Sequence, residues 1–227
     1  GAMTTRVLVV ADEELVRGLD ALHAELRALG QLTIAAITWS LGAFSNNDIN
    51  LAKRIITDDQ VIDQAHYTLE EHAISVIATQ QPVAGDLRRL LATIAVASEF
   101  ERIGDYAKGI AKLVVRAVEQ PSLETPDALF QMSDRAIAML NESLEAFIHQ
   151  DIEAARRLGV EDDQVDTLQK QIRSDILQRM QQEPQHAIQL VSLLSLTHNI
   201  ERIADRSTNI AERVVFMVSG TQVELNP

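Results

Sequence analysis

The sequence contains no cysteine among its 227 residues, so it can form neither a disulfide nor a thiolate metal site. Any metal must be held by oxygen or imidazole ligands. Aromatic residues are only 4% of the chain, which has nine glycines and five prolines. Hydrophobic residues nevertheless reach 46%, enough for a packed core and too many for a disordered chain. This composition is typical of a helical protein built on leucine, isoleucine, valine and alanine.

Basic residues are also scarce, since 20 lysines and arginines face 33 aspartates and glutamates and leave a formal charge of −13. A chain of this charge is repelled by the phosphate backbone, which argues against nucleic acid as a partner. The charge favours cations or the basic surfaces of other proteins instead.

No apolar run reaches the roughly 18 residues that span a bilayer, and no secretory signal is apparent. We therefore expect a cytoplasmic protein without direct membrane insertion. Residues 1–3, Gly-Ala-Met, look like a cloning scar and do not enter the fold argument.

A repeat organises the rest of the chain. Two stretches 100 residues apart read Glu-Arg-Ile-small-Asp and, after four further residues, Ile-Ala; they begin at Glu101 and at Glu201. Aspartates in cap positions recur at Asp48 and Asp151, and helix-breaking prolines recur at Pro82 and Pro184. A second breaker-rich segment, residues 121–126, separates the two halves.

Leucines alternating by four and three, and the breakers between them, predict six helices. Their approximate ranges are 12–44, 48–80, 82–118, 127–149, 151–183 and 185–219. Gly220 is the expected stop of the last helix. The sequence thus predicts an elongated all-α protein of two tandem pseudo-symmetric three-helix bundles, residues 4–120 and 121–227.

Acidic residues four apart lie on one face of a helix. In an antiparallel hairpin turning at Pro82, residues equidistant from the turn lie level. This brings one acidic pair beside another in each unit, and the two sets are Asp59, Asp63, Glu101 and Asp105, then Asp162, Asp166, Glu201 and Asp205.

A single acidic pair is usually just a solvated helix face, but four pairs matched in height across two units indicate a cation site. Four carboxylates at one height repel each other unless a cation lies among them. Oxygen ligands suit Mg, Ca, Mn and Fe, or Zn with help from histidine, and the sequence does not choose between them.

Other side chains lie on the same helix faces. His66 shares a face with Asp59 and Asp63, while His198 and Asn209 share one with Glu201 and Asp205. An imidazole there is as often an ordinary surface group as a ligand. In the first unit Lys108 and Lys112 could neutralise the acids without metal, which favours the second site.

These motifs resemble the PhoU family of bacterial phosphate uptake and signalling proteins. Residues 80–88 resemble the family's QQPxAxDLR turn, residues 100–111 its LERIGDxAxNIA helix, and residues 200–220 its ERIADHxTNIAExVxxMxxG ending. Gly109 and Arg206 depart from this pattern, which often has Asn and His there. The resemblance covers about Glu13 to Gly220 and implies two tandem three-helix bundles. It also implies iron or zinc clusters on the eight carboxylates.

The resemblance further implies a regulatory function. Such proteins are adaptors between the ATPase subunit of a phosphate ABC transporter and a sensor histidine kinase. They restrain the phosphate-starvation response when phosphate is plentiful, limit uptake and form homodimers. On this interpretation the chain is not an enzyme.

Two alternatives stay open. The first is a metal-carboxylate helical-bundle enzyme, an oxidase or hydrolase. Ferritin-like di-iron proteins use Glu-x-x-His motifs, and the only such motif here, Glu183 to His186, is broken by Pro184. The second alternative is a helical scaffold without metal.

Overall fold

The computed structural model describes the backbone of residues 2–225 and the side chains of residues 13–225. It consists of six long α-helices and one short 3-10 turn, with no strand in the described residues. The helices are α1 (Ala2–Asn46), α2 (Ile49–Gln80), α3 (Ala84–Arg116), α4 (Asp127–Ile148), α5 (Ile152–Gln182) and α6 (Ala187–Ser219), and the turn is Pro184–His186.

Equivalent caps begin the second helix of each unit. Asp48 accepts a hydrogen bond from the backbone N–H of Leu51 at 3.0 Å, and Asp151 accepts one from Ala154 at 3.0 Å. Both satisfy a donor that the first turn of a helix leaves without a partner. At the other end of the chain, Gly220 closes α6 with a left-handed φ of 72°, as predicted.

Two boundaries differ from the sequence prediction. α3 begins at Ala84 and not at Pro82, because Gln81 turns left-handed (φ 46°) to close α2 and Val83 is extended (φ −129°, ψ 162°). α1 begins at Ala2, before the predicted residue 12. The suspected cloning scar, residues 1–3, lies outside the described side chains.

The leucine seam of α1 enters the core. Leu19, Leu22, Leu26 and Leu29 are at most 4% exposed, and they pack with α2 and α3 in the first three-helix unit. α4, α5 and α6 form the second unit. The prediction of two tandem three-helix bundles is confirmed.

The two units share a core. α3 packs against α6, and α1 also contacts α4. A single cluster of buried side chains includes Leu26 of α1, Phe100 of α3, Phe147 of α4 and Ile200 of α6. The domain boundary predicted at 120/121 lies in the connection between α3 and α4. The core of buried side chains is continuous between the two units on either side of it.

α1 is uncharged over residues 29–46, and its segment Glu13–Asn46 is long and apolar enough to cross a membrane by length and composition. The sequence shows no uninterrupted apolar run here, because Gly30, Gln31 and Thr33 interrupt the pattern. Core helices of soluble proteins meet the same criterion, and the leucine seam of this helix is buried in the bundle.

Gly30 lies where α1 packs against Leu144 of the second unit. A Cβ at this position would lie 2.7 Å from Cδ2 of Leu144 and 3.3 Å from the Phe100 ring. Gly42, in the same helix, has no neighbour within 4 Å of such an atom. Gly30 therefore has a packing role in the structure.

These two glycines give a matched test of the inter-unit packing. Gly30→Val should lower the free energy of unfolding by about 1–3 kcal/mol, as overpacking of a filled core does. Gly42→Val should change it by less than about 0.5 kcal/mol, since valine is no worse than glycine in an open helix position. Urea unfolding measures both, and equal effects would show that α1 does not pack closely against α4.

Candidate metal centre

The first acidic cluster lies between α2 and α3. One carboxylate oxygen each from Asp59, Asp63 and Asp105 lie within 4.8 Å of one another. Asp59 is only 4% exposed. A Cβ on Gly104 would lie 3.2 Å from Ile62 and 3.5 Å from Oδ1 of Asp59, so the small residue of the repeat lets α2 approach α3 where the carboxylates meet.

Glu101 joins this cluster through hydrogen bonds. Burial, followed by the charges of Asp105 and Asp63, raises the pKa of Glu101 to about 7, and hydrogen bonds to the same two carboxylates add to the rise. Burial and the charge of Asp63 raise the pKa of Asp105, and the hydrogen bond from Glu101 opposes that rise. Glu101 is thus a proton donor to its neighbours while it is protonated.

Lys108 provides a positive charge in the first cluster. Its Nζ lies 3.7 Å from Oδ2 of Asp59. Burial and Asp63 raise the pKa of Asp59, and Lys108 opposes that rise. This ion pair agrees with the sequence prediction that Lys108 could neutralise these acids.

The second acidic cluster lies between α5 and α6 in the same way. Oxygens of Asp162, Asp166 and Asp205 lie within 4.8 Å of one another, and Asp162 is 1% exposed. Burial, then Asp205 and Asp166, raise the pKa of Asp162 to about 7. Burial and Glu201 raise the pKa of Asp205 to about 6 against the opposing charges of Arg202 and Arg206.

The size of both clusters suits a metal ion. Ligand oxygens lie at about 2.3–2.6 Å from Ca²⁺ and about 2.0–2.2 Å from Mg²⁺ or Zn²⁺. Oxygens bound to one octahedral ion are therefore at most about 4–5 Å apart, and the three oxygens of each cluster, all within 4.8 Å of one another, fit this limit. The all-oxygen donor set fits hard or borderline cations.

Neither of the predicted histidine ligands, His66 or His198, belongs to these triads. His66 Nε2 lies 3.4 Å from Ser98 Oγ and 3.5 Å from Glu70 Oε2. His198 is exposed beside Lys112 and Asn199. Asn209 lines a cleft with Glu99 and Glu212, and its role as a ligand stays a prediction.

Two interhelical pairs were missed by sequence reasoning. Arg206 of α6 lies 3.3 Å from Glu99 of α3, so it joins the two units. On the outer side of α5, burial and a hydrogen bond to Glu142 of α4 raise the pKa of Glu161 to about 7. No periodicity signals either pair, because each depends on how two helices cross.

Comparison with known proteins identifies the same two repeats. The sequence model described as the PhoU domain matches residues 26–114 and again residues 129–214. A phosphate-specific transport system accessory protein PhoU homolog of Clostridium acetobutylicum is 33% identical over 209 residues, 92% of this chain and 95% of that protein. The homolog of Rhizobium meliloti is 32% identical, covering 95% and 90%.

Solved structures are similar over the same length. The phosphate transport system regulatory protein PhoU from Streptococcus pneumoniae superposes with a TM-score of 0.86 at 28% identity, covering 92% of this chain and 99% of that one. PhoU from Pseudomonas aeruginosa gives a TM-score of 0.85 at 26% identity, with 90% and 99% covered.

The raised pKa values of the second cluster predict that the stability of the metal-free protein depends on pH. An unperturbed aspartate has a pKa of 3.8, whereas in the folded state the pKa of Asp162 is about 7 and that of Asp205 is about 6. As pH rises through this window the unfolded chain ionises first, so these groups lower the free energy of unfolding. As pH rises from 4.5 to 8, the stability of Asp162→Asn should therefore increase relative to that of wild type.

The measurement is urea unfolding in the presence of chelator at both pH values. The matched control is Asp175→Asn, which removes an exposed carboxylate elsewhere on α5. If Asp162→Asn and Asp175→Asn show the same pH dependence, the buried carboxylate is not the source of the effect.

Proposed function

Because the chain belongs to the PhoU family, we propose that it regulates phosphate uptake and the phosphate-starvation response. The observation that carries this proposal is the match of the PhoU domain to both repeats, together with curated relatives named as accessory proteins of phosphate-specific transport. In this role it restrains the starvation response and limits uptake when phosphate is plentiful.

The proposed mode of action is that of a cytoplasmic adaptor. It links the ATPase subunit of a phosphate ABC transporter to a sensor histidine kinase, acts as a homodimer and performs no catalysis of its own. The net charge of −13 supports basic protein surfaces as its partners. The names of the relatives support an accessory role over the alternative of a carboxylate-bridged oxidase or hydrolase.

An apolar groove between α1 and α2 suits a partner helix. It has a volume of about 570 Å³. Leu32 and Trp39 of α1 and Val61 of α2 line it, and Trp39 is 57% exposed. Two acids and one base, Asp58, Asp59 and Arg54, form its polar part. We assign it to a basic amphipathic helix of the transporter ATPase subunit.

Trp39→Asp tests this adaptor function. Because exposed aromatic anchors carry much of the energy of such contacts, the variant should capture the ATPase subunit about tenfold less well than wild type in a pull-down. When the variant is expressed in a strain that lacks the natural gene, it should also fail to restrain phosphate uptake.

The control is Ile188→Asp, which changes an equally exposed apolar side chain (60%) in the second unit and should behave as wild type. Capture of the ATPase by Trp39→Asp at the wild-type level would reject the groove as the docking surface. Phosphatase or oxidase turnover by the metal-loaded protein would favour the enzyme alternative.

We also propose that the acidic clusters hold iron or zinc. When bound, the cation supplies charge that neutralises the buried carboxylates and joins the two helices of a hairpin. Asp162, Asp166 and Asp205 would hold it in the second unit, with Glu201 beside them. This is a structural and regulatory use of the metal, which stabilises the folded state by mass action.

Replacing Glu201 by Gln together with Asp205 by Asn should greatly lower the bound metal and should stabilise the metal-free protein, because repulsion is removed. Chelation should lower the melting temperature of wild type but not of this variant. Elemental analysis and thermal unfolding make the two measurements. A control with the same charge change at exposed sites, Glu153→Gln with Asp163→Asn, should retain metal, and full metal in the first variant would refute the assignment.

A further inference from the structure

A cleft between α3 and α6 gathers basic side chains on the surface of an acidic chain. It has a volume of about 430 Å³. Lys112 and Arg116 of α3 lie on one wall, and His198 and Asn199 of α6 lie on the other. No carboxylate is among the described residues that line it, although the whole chain has a formal charge of −13. We call this site the basic cleft.

The cations of the basic cleft are not neutralised by close carboxylates. None of the ion pairs in the described part of the chain involves Lys112, Arg116 or His198, and all three side chains are exposed. Asn199 donates one hydrogen bond to the backbone carbonyl of Ser195 at 3.0 Å, which leaves its second amide N–H for a ligand. A cleft lined by charges of one sign concentrates counter-ions.

One acid acts on the basic cleft from a distance. Burial raises the pKa of Asp105 in the first acidic cluster, and the charge of Lys112 opposes that rise. Lys112 and Asp105 form no ion pair among the described residues, so the ammonium still faces the cleft with its own charge.

The repeat places a second cleft at the equivalent position, and the character of its side chains is opposite. Lys112 and Arg116 correspond to Glu212 and Phe216, each 100 residues later. Both equivalents line that second cleft, together with Glu99 of α3. Two positions that carry positive charge in the first cleft therefore carry a negative charge and an aromatic ring in the second.

The chain itself provides partners for the acids of the second cleft. The C-terminal segment, residues 221–225, forms one side of it, and the backbone N–H of Leu225 donates to Oε1 of Glu212 at 3.2 Å. Glu99 pairs with Arg206 at 3.3 Å. The basic cleft differs in that its charged groups face solvent.

We propose that the basic cleft binds a phosphate-bearing anion, and binds several linked phosphates more tightly than one. The Arg116 guanidinium offers parallel N–H donors that match phosphate oxygens, and the Lys112 ammonium is a compact point charge. Because these residues are four apart on α3, their side chains are neighbours. The volume lies in the range of small-molecule sites, which leaves room for a short chain of phosphates between this pair and His198.

This inference goes beyond the proposed regulation of phosphate uptake, because it assigns a small-molecule ligand to the protein itself. It depends neither on metal at the acidic clusters nor on the docking groove, which lies between α1 and α2.

The test is calorimetric titration of metal-free full-length protein with sodium triphosphate and with inorganic phosphate. Metal is removed so that a cation at the acidic clusters does not bind the anion. At about 50 mM salt, triphosphate should bind one site with a dissociation constant below about 1 mM, and inorganic phosphate should bind about tenfold more weakly because it contacts fewer cations. Raising the salt to about 300 mM should weaken both.

Substitutions at the basic cleft locate the site. Lys112→Gln with Arg116→Gln should weaken triphosphate binding at least about tenfold, as the loss of two close charges implies. The matched control, Lys170→Gln with Arg173→Gln, makes the same charge change at exposed positions of α5 and should bind within about twofold of wild type. Lys112→Glu with Arg116→Phe copies the second cleft and should abolish binding.

Three results would overturn the inference. The first is no binding of triphosphate by wild type up to about 5 mM, in calorimetry and in the melting temperature. The second is equal loss of affinity in the cleft variant and the α5 control, or no loss in either. The third is equally tight binding of citrate, a tricarboxylate, which would show that the cleft selects charge and not phosphate. The adaptor function is tested separately by Trp39→Asp, so either proposal can fail alone.

Discussion

The packing of α3 against α6 is the contact on which the rest of the structure depends. Each of these helices also packs against the other two helices of its own unit, so buried side chains lie on more than one of its faces. Ile103, Ile110, Ile203 and Ile210 are fully buried or nearly so. The remaining stripe faces α2 in one unit and α5 in the other, and it carries the Glu-x-x-x-Asp pairs.

This arrangement forces carboxylates into a position where burial opposes their charge. Because Gly104 has no side chain, Ile62 and Asp59 of α2 occupy positions that a Cβ there would crowd. The resulting free-energy cost has several remedies: a shared proton at Glu101, an ammonium at Lys108, or a cation from solution. Protonation depends on pH, and ion binding depends on metal concentration. The stability of such clusters therefore responds to both.

Helix periodicity and breakers were enough to predict the fold, because the leucine seam, the paired aspartate caps and the prolines are local signals. The heights of the acidic pairs could be counted from Pro82 and Pro184, and the structure brings three of each four carboxylates together. Local pattern does not determine which way a long side chain turns. The pairing of Arg206 with Glu99, and the start of α3 at Ala84, depend on the crossing of helices and on a strained turn at Gln81.

The helices that contact each other across the two units are equivalents in the repeat: α3 meets α6, and α1 meets α4. A two-fold dimer of single units would have these same contacts, since such an interface joins a surface to itself. In a dimer of identical chains, every substitution appears twice, at both sites. Once both halves lie in one polypeptide, a gene can change a residue of one half and leave its equivalent in the other half as it is, so fusion of the halves permits each acidic site to evolve separately.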